Sequence, residues 1–286
     1  MHEMISQHRR TPGRAHSDPI KQKVSSFSSF LSLCRKKPLY PPQRYLKISR
    51  CSLRGFNLHS SEIKALSTGC CELDLLLGGG LVPREILLIY GERGSGKTTF
   101  VFQTLLNAAL KGLKSILFST EGYAYFRRLK IMASSSWAEI SDRILVLTVK
   151  EFQEQDSIIE NLELTLPPDV VLVAFDSITS CYRAALKEKE DNIILNKMLN
   201  RELAIMKDLS MRRRLATVIT SDVTSPPEDK EIQPVASQIL MYWCDKIVRL
   251  DRLRGDIRRA VVIKPSPVKE QILRMGSGGL TGISGA

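Results

Sequence analysis

Apolar runs alternate with helical patterns through most of the chain, beginning near residue 65. The apolar runs predict strands at Ile86–Tyr90, Ser115–Ser119, Ile144–Val149, Val170–Phe175 and Ala216–Thr220. Between them, apolar residues spaced three to four apart predict helices at Lys97–Lys111, Tyr125–Ala133, Phe152–Leu162 and Asp191–Arg213. Strands that alternate with helices are typical of a parallel sheet, so the pattern predicts an α/β fold.

The C-terminal part of the chain has strand patterns without helices between them. These patterns cover Lys246–Leu253, Ile257–Lys264 and Gln271–Met275, with a turn at Arg254-Gly255-Asp256. They predict a meander of strands that extends one edge of the sheet. The composition, 43% hydrophobic and 25% charged, is that of a globular protein. Because no window of about 18 uncharged apolar residues occurs, the sequence predicts no membrane span.

Positive charge is concentrated at the N-terminus. The formal net charge is +12, and residues 1–60 supply +10 of it, with 12 Lys or Arg against two acids. Since this segment has no sustained hydrophobic periodicity, we expect a basic, disordered extension, and a folded core over residues 61–286. A stretch upstream of the true start is the favoured explanation, with a transit peptide or a DNA-binding arm as alternatives. All four histidines lie in this segment, so the core cannot use histidine as a base or metal ligand.

The strongest chemical signal is a glycine-rich segment directly after the first predicted strand. Residues 91–98 read Gly-Glu-Arg-Gly-Ser-Gly-Lys-Thr and fit the P-loop pattern GxxxxGK[ST]. In such a loop, backbone N–H groups and the N-terminus of the following helix bind phosphate oxygens. We expect Lys97 to contact the β- and γ-phosphates of ATP and Thr98 to ligate Mg²⁺. The residues expected to bind nucleotide here are Gly91, Glu92, Arg93, Gly94, Ser95, Gly96, Lys97, Thr98 and Thr99.

Two carboxylates follow other predicted strands. Asp176 ends the most apolar strand, at the edge of a parallel sheet where ligands bind, so we expect it to hold Mg²⁺ or its water. The alternative is an aspartate that only caps the next turn. Glu121 comes shortly after the strand that ends at Ser119 and is a candidate to polarise the water that attacks the γ-phosphate. The residues alone leave this role and that of a solvated loop glutamate equally open.

Several ordered blocks of the chain resemble the ATPase core of the RecA superfamily. The blocks are Leu66-Ser67-Thr68-Gly69, Leu73-Asp74, Gly78-Gly79-Gly80, the P-loop, Thr120-Glu121-Gly122, Asp176-Ser177 with Tyr182-Arg183, Leu199 to Leu203, Val218-Ile219-Thr220 and Pro234 to Leu250. They cover about residues 64–286 and are most similar to the archaeal RadB proteins. The resemblance implies a RecA-like P-loop NTPase core, with a mostly parallel central sheet flanked by helices and a β-rich C-terminal edge. It also implies ATP and Mg²⁺ as cofactors and weak ATPase activity.

The resemblance implies roles for individual residues as well. Glu121 matches the family's catalytic glutamate, which acts together with Lys97. Arg128 matches the arginine that stacks on adenine in relatives, with Arg127 as a rival. Residues 177–192 and 222–234 match the two loops that face DNA.

The second of these loops departs from the family pattern. Relatives have Asn-Gln after the strand, where the glutamine senses the γ-phosphate and relays to DNA, whereas this chain has Ser221-Asp222. An ionised carboxylate only accepts hydrogen bonds, so we expect Asp222 to turn away, to pair with a nearby cation or to take up a proton. The stretch Pro226–Glu231 is net acidic and would repel DNA phosphates. The basic runs at 212–214 and 258–259 are candidates to compensate.

These observations favour an ATP-binding, weakly hydrolysing accessory protein of homologous recombination and DNA repair in the cytoplasm. The expected partners are a RadA-like main recombinase, single-stranded DNA and further copies of the chain. The Phe-x-x-Ala motif that docks neighbouring protomers in relatives is not recognisable, since Phe27-Ser28-Ser29-Phe30 is a poor substitute. Two alternatives are a KaiC-like ATP-dependent regulatory protein that does not bind DNA and an ATP-gated module that binds a protein partner.

Overall fold

In the computed structural model, which describes residues 63–121, 124–187, 189–224 and 232–283, nine strands form one sheet. They are β1 (Ile86–Tyr90), β2 (Lys114–Ser119), β3 (Ile144–Thr148), β4 (Val170–Asp176), β5 (Ala216–Ser221), β8 (Lys246–Arg252), β9 (Ile257–Lys264), β10 (Lys269–Met275) and β11 (Leu280–Gly282). A separate two-stranded ribbon consists of β6 (Val223–Thr224) and β7 (Gln233–Pro234). The N-terminal segment 1–60 lies outside the described residues, so its disorder stays a prediction.

The strand order across the sheet is β11-β10-β9-β8-β1-β5-β4-β2-β3. The six strands from β8 to β3 in that order pair in parallel, and β9, β10 and β11 continue the sheet as antiparallel neighbours. The predicted fold, a mostly parallel sheet with a β-rich C-terminal edge, is confirmed. Because β1 lies between β5 and β8, the loop after it reaches the middle of the sheet edge.

The helices are α1 (Cys71–Leu76), α2 (Lys97–Leu110), α3 (Ala124–Ala133), α4 (Trp137–Ile140), α5 (Phe152–Glu160), α6 (Leu162–Thr165), α7 (Ser180–Ala185), α8 (Lys189–Arg213) and α9 (Ser237–Trp243). The helix predicted over Phe152–Leu162 is in fact two helices, α5 and α6. Asn161 separates them, since its side-chain amide donates to the Ser157 carbonyl at 2.8 Å and its backbone leaves the helical region. An asparagine that bonds to the backbone in this way ends a helix.

The core lies between α2 and the sheet. Every residue of β1 is buried, because the strand has a neighbour on each side and packing on both faces. Phe100 and Leu105 of α2 are fully buried against this layer. Across β2 and β4, the rings of Phe118 and Phe175 stack with centroids 4.5 Å apart. Among the described residues, no helix combines the length and the apolar character that a membrane span needs.

A buried polar group joins α5 to α8. Glu202 is 0% exposed, and its Oε2 accepts a hydrogen bond from Gln155 Nε2 at 2.7 Å, while its Oε1 has no hydrogen-bond partner among the described residues. Gln155 also donates to the Ile178 carbonyl at 3.1 Å, just after β4. Next to it, Arg201 binds both carboxylate oxygens of Asp156. Burial raises the pKa of Glu202 to about 8.

Candidate nucleotide-binding site

The P-loop runs from the end of β1 to the start of α2. Gly96 is the N-cap of α2, with a left-handed φ of +113°, and no side chain caps the helix. The first turn also contains no acidic residue. The N–H groups of a helix N-terminus have no partner within the helix, and its partial positive charge favours anions. The start of α2 is therefore suited to bind phosphate oxygens.

The loop passes very close to the neighbouring strand β8. A Cβ atom on Gly91 would lie 2.2 Å from the carbonyl oxygen of Leu250, so this position accepts only glycine without a shift of the backbone. Ser95, in the middle of the loop, is buried, and its hydroxyl has no hydrogen-bond partner among the described residues. A buried hydroxyl without a partner is costly, so Ser95 is a polar group that the packing of the loop alone does not explain.

A cavity of about 560 Å³ lies at the carboxyl edge of the sheet, in front of the P-loop. Its lining consists of Glu92, Arg93, Gly94, Gly96, Lys97, Thr98, Thr99, Glu121, Arg128, Asp176, Ser177, Ser180, Arg183, Asp222, Val223 and Met275. The structure thus brings together the P-loop and the residues predicted after β2 and β4. Gly91 and Ser95 lie buried behind this lining. The carboxyl ends of parallel strands meet at one edge, which explains the convergence.

Lys97 is 8% exposed and has three partners at its ammonium group. Its Nζ donates to the carbonyl oxygens of Gly91 at 2.7 Å and Glu92 at 3.1 Å. The third contact is an ion pair with Asp222, whose Oδ1 lies 3.1 Å from Nζ. Of the three behaviours expected for Asp222, the structure shows pairing with a cation, and the cation is the P-loop lysine itself.

Asp176 is the buried carboxylate of the site, only 4% exposed. Its Oδ1 accepts a hydrogen bond from the Thr220 hydroxyl at 2.5 Å, whereas Oδ2 is buried and has no partner among the described residues. Burial raises the pKa of Asp176, against the lowering effects of Thr220, Thr98 and Lys97. A buried carboxylate oxygen without a partner, in the same cavity as the Thr98 hydroxyl, fits a divalent cation that prefers oxygen ligands.

The protein side chains do not form a complete metal cage. Among the described residues, no group of three or more His, Cys, Asp or Glu could hold a metal ion. Mg²⁺ commonly takes one or two protein oxygens and completes its shell with water and substrate phosphates. Thr98 and Asp176 agree with that manner of binding.

Glu121 and Arg128 both line the cavity. The backbone of Glu121 is fixed by the Ser119 hydroxyl, which bonds to both its N–H and its carbonyl group at 3.2 Å, and its side chain is exposed. Arg128 donates to the Thr99 hydroxyl and lines the cavity, whereas its rival Arg127 does not appear in the lining. The Thr99 hydroxyl also contacts the Met275 sulfur at 3.7 Å.

Two supporting residues were missed by the sequence reasoning. Met275 reaches the cavity from the end of β10, and nothing in its local pattern sets it apart from a core methionine. Gln103 of α2 pairs with the backbone of β11: its amide nitrogen donates to the Leu280 carbonyl at 2.9 Å, and its amide oxygen accepts from the Leu280 N–H at 2.8 Å. This amide clasp fixes the P-loop helix to the C-terminal edge of the sheet.

The basic runs proposed to compensate for the acidic loop are largely engaged within the protein. Arg212 pairs with Glu163 and Asp208, and Arg213 donates to the carbonyl of Pro167 at 2.9 Å. Arg258 is buried, and Arg259 binds Asp251 at 2.9 Å. The acidic run at 226–231 lies outside the described residues. Helix α7 lies within residues 177–192, the first of the two loops that match DNA-facing loops in relatives, and it places Arg183 at the cavity.

The P-loop joins a strand and a helix of a mostly parallel sheet and shares its cavity with Asp176 on another strand. This arrangement is that of the RecA-like P-loop NTPase fold. The chain matches the model of the Rad51 family over residues 59–282. It belongs to this family, and proteins of the family bind nucleotides.

Individual relatives are archaeal proteins with the name "DNA repair and recombination protein RadB". The chain is 33% identical to that of Methanosphaera stadtmanae over 201 residues, which are 69% of this chain and 85% of the relative. It is 35% identical to that of Thermococcus kodakarensis over 202 residues, 70% of this chain and 89% of the relative. The crystal structure of the RadB recombinase matches with a TM-score of 0.64 and 31% identity, covering 77% of this chain and 100% of the other. The RadB-like resemblance is confirmed.

Proposed function

We propose that this chain is an ATP-binding, weakly hydrolysing accessory protein of homologous recombination and DNA repair. The observation that carries the proposal is the single cavity in which the P-loop, Thr98, Glu121 and Asp176 meet. The names of the RadB relatives support the assignment to recombination and repair. A RadA-like recombinase and single-stranded DNA are the partners that this role requires, and the site is assigned to ATP with Mg²⁺.

Each residue of the site has a physical task in this proposal. Lys97 and the N–H groups of the P-loop bind the phosphates, and Arg128 stacks on the base. Glu121 orients and polarises the attacking water. Thr98 and Asp176 supply oxygen ligands for Mg²⁺, which when bound neutralises charge that develops on the β- and γ-phosphates. Weak turnover is what the resemblance to the RadB proteins implies, and Asp222 must release Lys97 before Lys97 can contact the γ-phosphate.

The experiment is to measure ATP turnover of the full chain alone, with single-stranded DNA, and with the recombinase of the same organism. We expect slow turnover, little stimulation by DNA, and an effect on the recombinase's strand exchange. Asp222→Gln restores the neutral amide of relatives, so it should raise the stimulation by DNA several-fold. Asp169→Asn is the matched control, since it removes one exposed acid whose partner is Lys114, away from the site.

Each of the other outcomes contradicts a defined part of the proposal. Strong stimulation of the wild type by DNA would show that Asp222 does not break the relay. ATP binding without any effect on DNA or the recombinase would favour the KaiC-like regulatory protein, or a module that uses ATP to bind another protein. Absence of ATP binding would remove the proposal altogether.

A further inference from the structure

We propose that Asp222 determines nucleotide specificity by competing with the γ-phosphate for Lys97, so that the site favours a nucleoside diphosphate over the triphosphate. The inference rests on the proposed nucleotide-binding function and deepens it. The observation behind it is the 3.1 Å ion pair between the P-loop lysine and a carboxylate at the end of β5. Asp222 lines the same cavity as the P-loop.

The first step concerns the partners of Lys97. Its Nζ donates to the carbonyls of Gly91 and Glu92 and forms an ion pair with the carboxylate of Asp222. Of these three partners, only Asp222 is a mobile side chain rather than loop backbone. A γ-phosphate oxygen that approaches Lys97 therefore competes with Asp222 for the positive charge.

The second step concerns the position of Asp222, whose backbone is fixed. Its carbonyl oxygen accepts hydrogen bonds from Val235 N–H at 2.9 Å and from the Ser221 hydroxyl at 2.8 Å. The Ser221 hydroxyl is in turn bonded to that of Thr179 at 3.0 Å. The carboxylate can move away from Lys97 only by side-chain rotation, because the backbone of Asp222 stays in place beside the cavity.

The third step concerns charge. Among the lining residues, four cations (Arg93, Lys97, Arg128 and Arg183) face four carboxylates (Glu92, Glu121, Asp176 and Asp222). The side-chain cations and carboxylates of the lining are therefore equal in number, so Asp222 offsets positive charge that a polyphosphate would otherwise meet. A triphosphate brings both its β- and γ-phosphates to the place where Lys97 meets Asp222, whereas a diphosphate brings only its β-phosphate and therefore less negative charge. Asp222 thus opposes ATP more than ADP.

The test is to measure dissociation constants of ADP and ATP, both with Mg²⁺, by calorimetry on the full chain and its variants. The wild type should bind ADP at least as tightly as ATP. Asp222→Asn removes the charge while keeping the shape, so it should tighten ATP binding about ten-fold relative to ADP binding. Asp222→Glu keeps the charge and should leave the ratio of the two constants near the wild-type value.

Asp169→Asn serves as the charge-matched control and should change neither constant. An unchanged ATP-to-ADP ratio in Asp222→Asn, in a protein that binds both nucleotides and melts at the wild-type temperature, overturns this inference alone. A wild type that prefers ATP strongly also overturns it. If neither nucleotide binds to any of the variants, the proposed function fails, and the inference fails with it.

Discussion

Lys97 and Asp176 are charged side chains of the cavity lining that are almost completely buried. Lys97 has two hydrogen-bond acceptors and an ion pair with Asp222, while Asp176 keeps one buried oxygen without a partner among the described residues. The unpartnered oxygen of Asp176 can be explained by a bound cation. The same polar groups would serve no purpose in a site built only for packing.

Replacement of Lys97 by alanine should weaken ATP binding about 100-fold or more, because the phosphates lose a charge-assisted hydrogen bond in a largely buried position. Binding of a fluorescent ATP analogue to the folded variant measures this. Lys114→Ala is the control, since that lysine is exposed and pairs with Asp169 away from the cavity. An unchanged dissociation constant in Lys97→Ala would contradict the P-loop assignment.

The sequence predicted the P-loop, Glu121 and Asp176 because each lies beside a strand end that the apolar pattern reveals. For Asp222 the sequence left three behaviours open, because its ion pair with Lys97 joins residues that follow different strands. Met275 and Gln103 gave no signal, because their partners lie 176 and 177 positions away in the chain.

At the scale of elements, the eight predicted strands agree with the structure to within two residues, because their apolar runs are short and bounded by polar residues, whereas the two-residue strands β6 and β7 were not predicted. The C-terminal strands β8, β9 and β10 were anticipated as a meander, but β11 was missed, since three residues are too few to give a pattern. The short helices α1, α4, α7 and α9 were missed for the same reason. The order of the strands in the sheet could not be predicted from the sequence, because long connections allow several arrangements.

The contact between α5 and α8 predicts a pH dependence of stability. Burial raises the pKa of Glu202 to about 8, so between about pH 4.5 and pH 8 the folded chain holds a proton that the unfolded chain has released. The contribution of Glu202 is therefore full below about pH 4.5 and is lost as the pH rises toward 8. The free energy of unfolding should fall by at most about 1.4 kcal/mol per pH unit in this window.

Glu202→Gln keeps the shape and removes the ionisation, so its melting temperature should fall less than that of the wild type between pH 6 and pH 9. Glu139→Gln is the control, because it makes the same change of charge at an exposed position. If the melting temperatures of wild type and Glu202→Gln change equally with pH across this range, Glu202 does not titrate there.

For the molecule as a whole, charge and fold are separated along the sequence. Residues 1–60 hold +10 of the net charge of +12, and the remainder is close to neutral. Within the described part, the arginines at 212, 213 and 259 bind the protein's own carboxylates or carbonyls. The N-terminal segment is therefore the largest source of positive charge for a polyanion.

Deletion of residues 1–60 should leave the melting temperature and ATP binding nearly unchanged and should weaken binding of single-stranded DNA, with a shallower dependence on salt. Filter binding at several salt concentrations, together with thermal melting, measures both effects. A chain whose Lys and Arg in residues 1–60 are replaced by Gln distinguishes charge from length. A collapse of the melting temperature on deletion would mean that the segment stabilises the fold.

The amide clasp between Gln103 and Leu280 has a consequence for the order of events during synthesis. The two residues are 177 positions apart, which at about 5–20 residues per second is a delay of roughly 9 to 35 s on the ribosome. Throughout that interval the nascent chain has its complete P-loop, but the helix behind it is not yet attached to β11. A chain that ends before Leu280 would contain every phosphate-binding residue but would lack the contact that attaches α2 to β11.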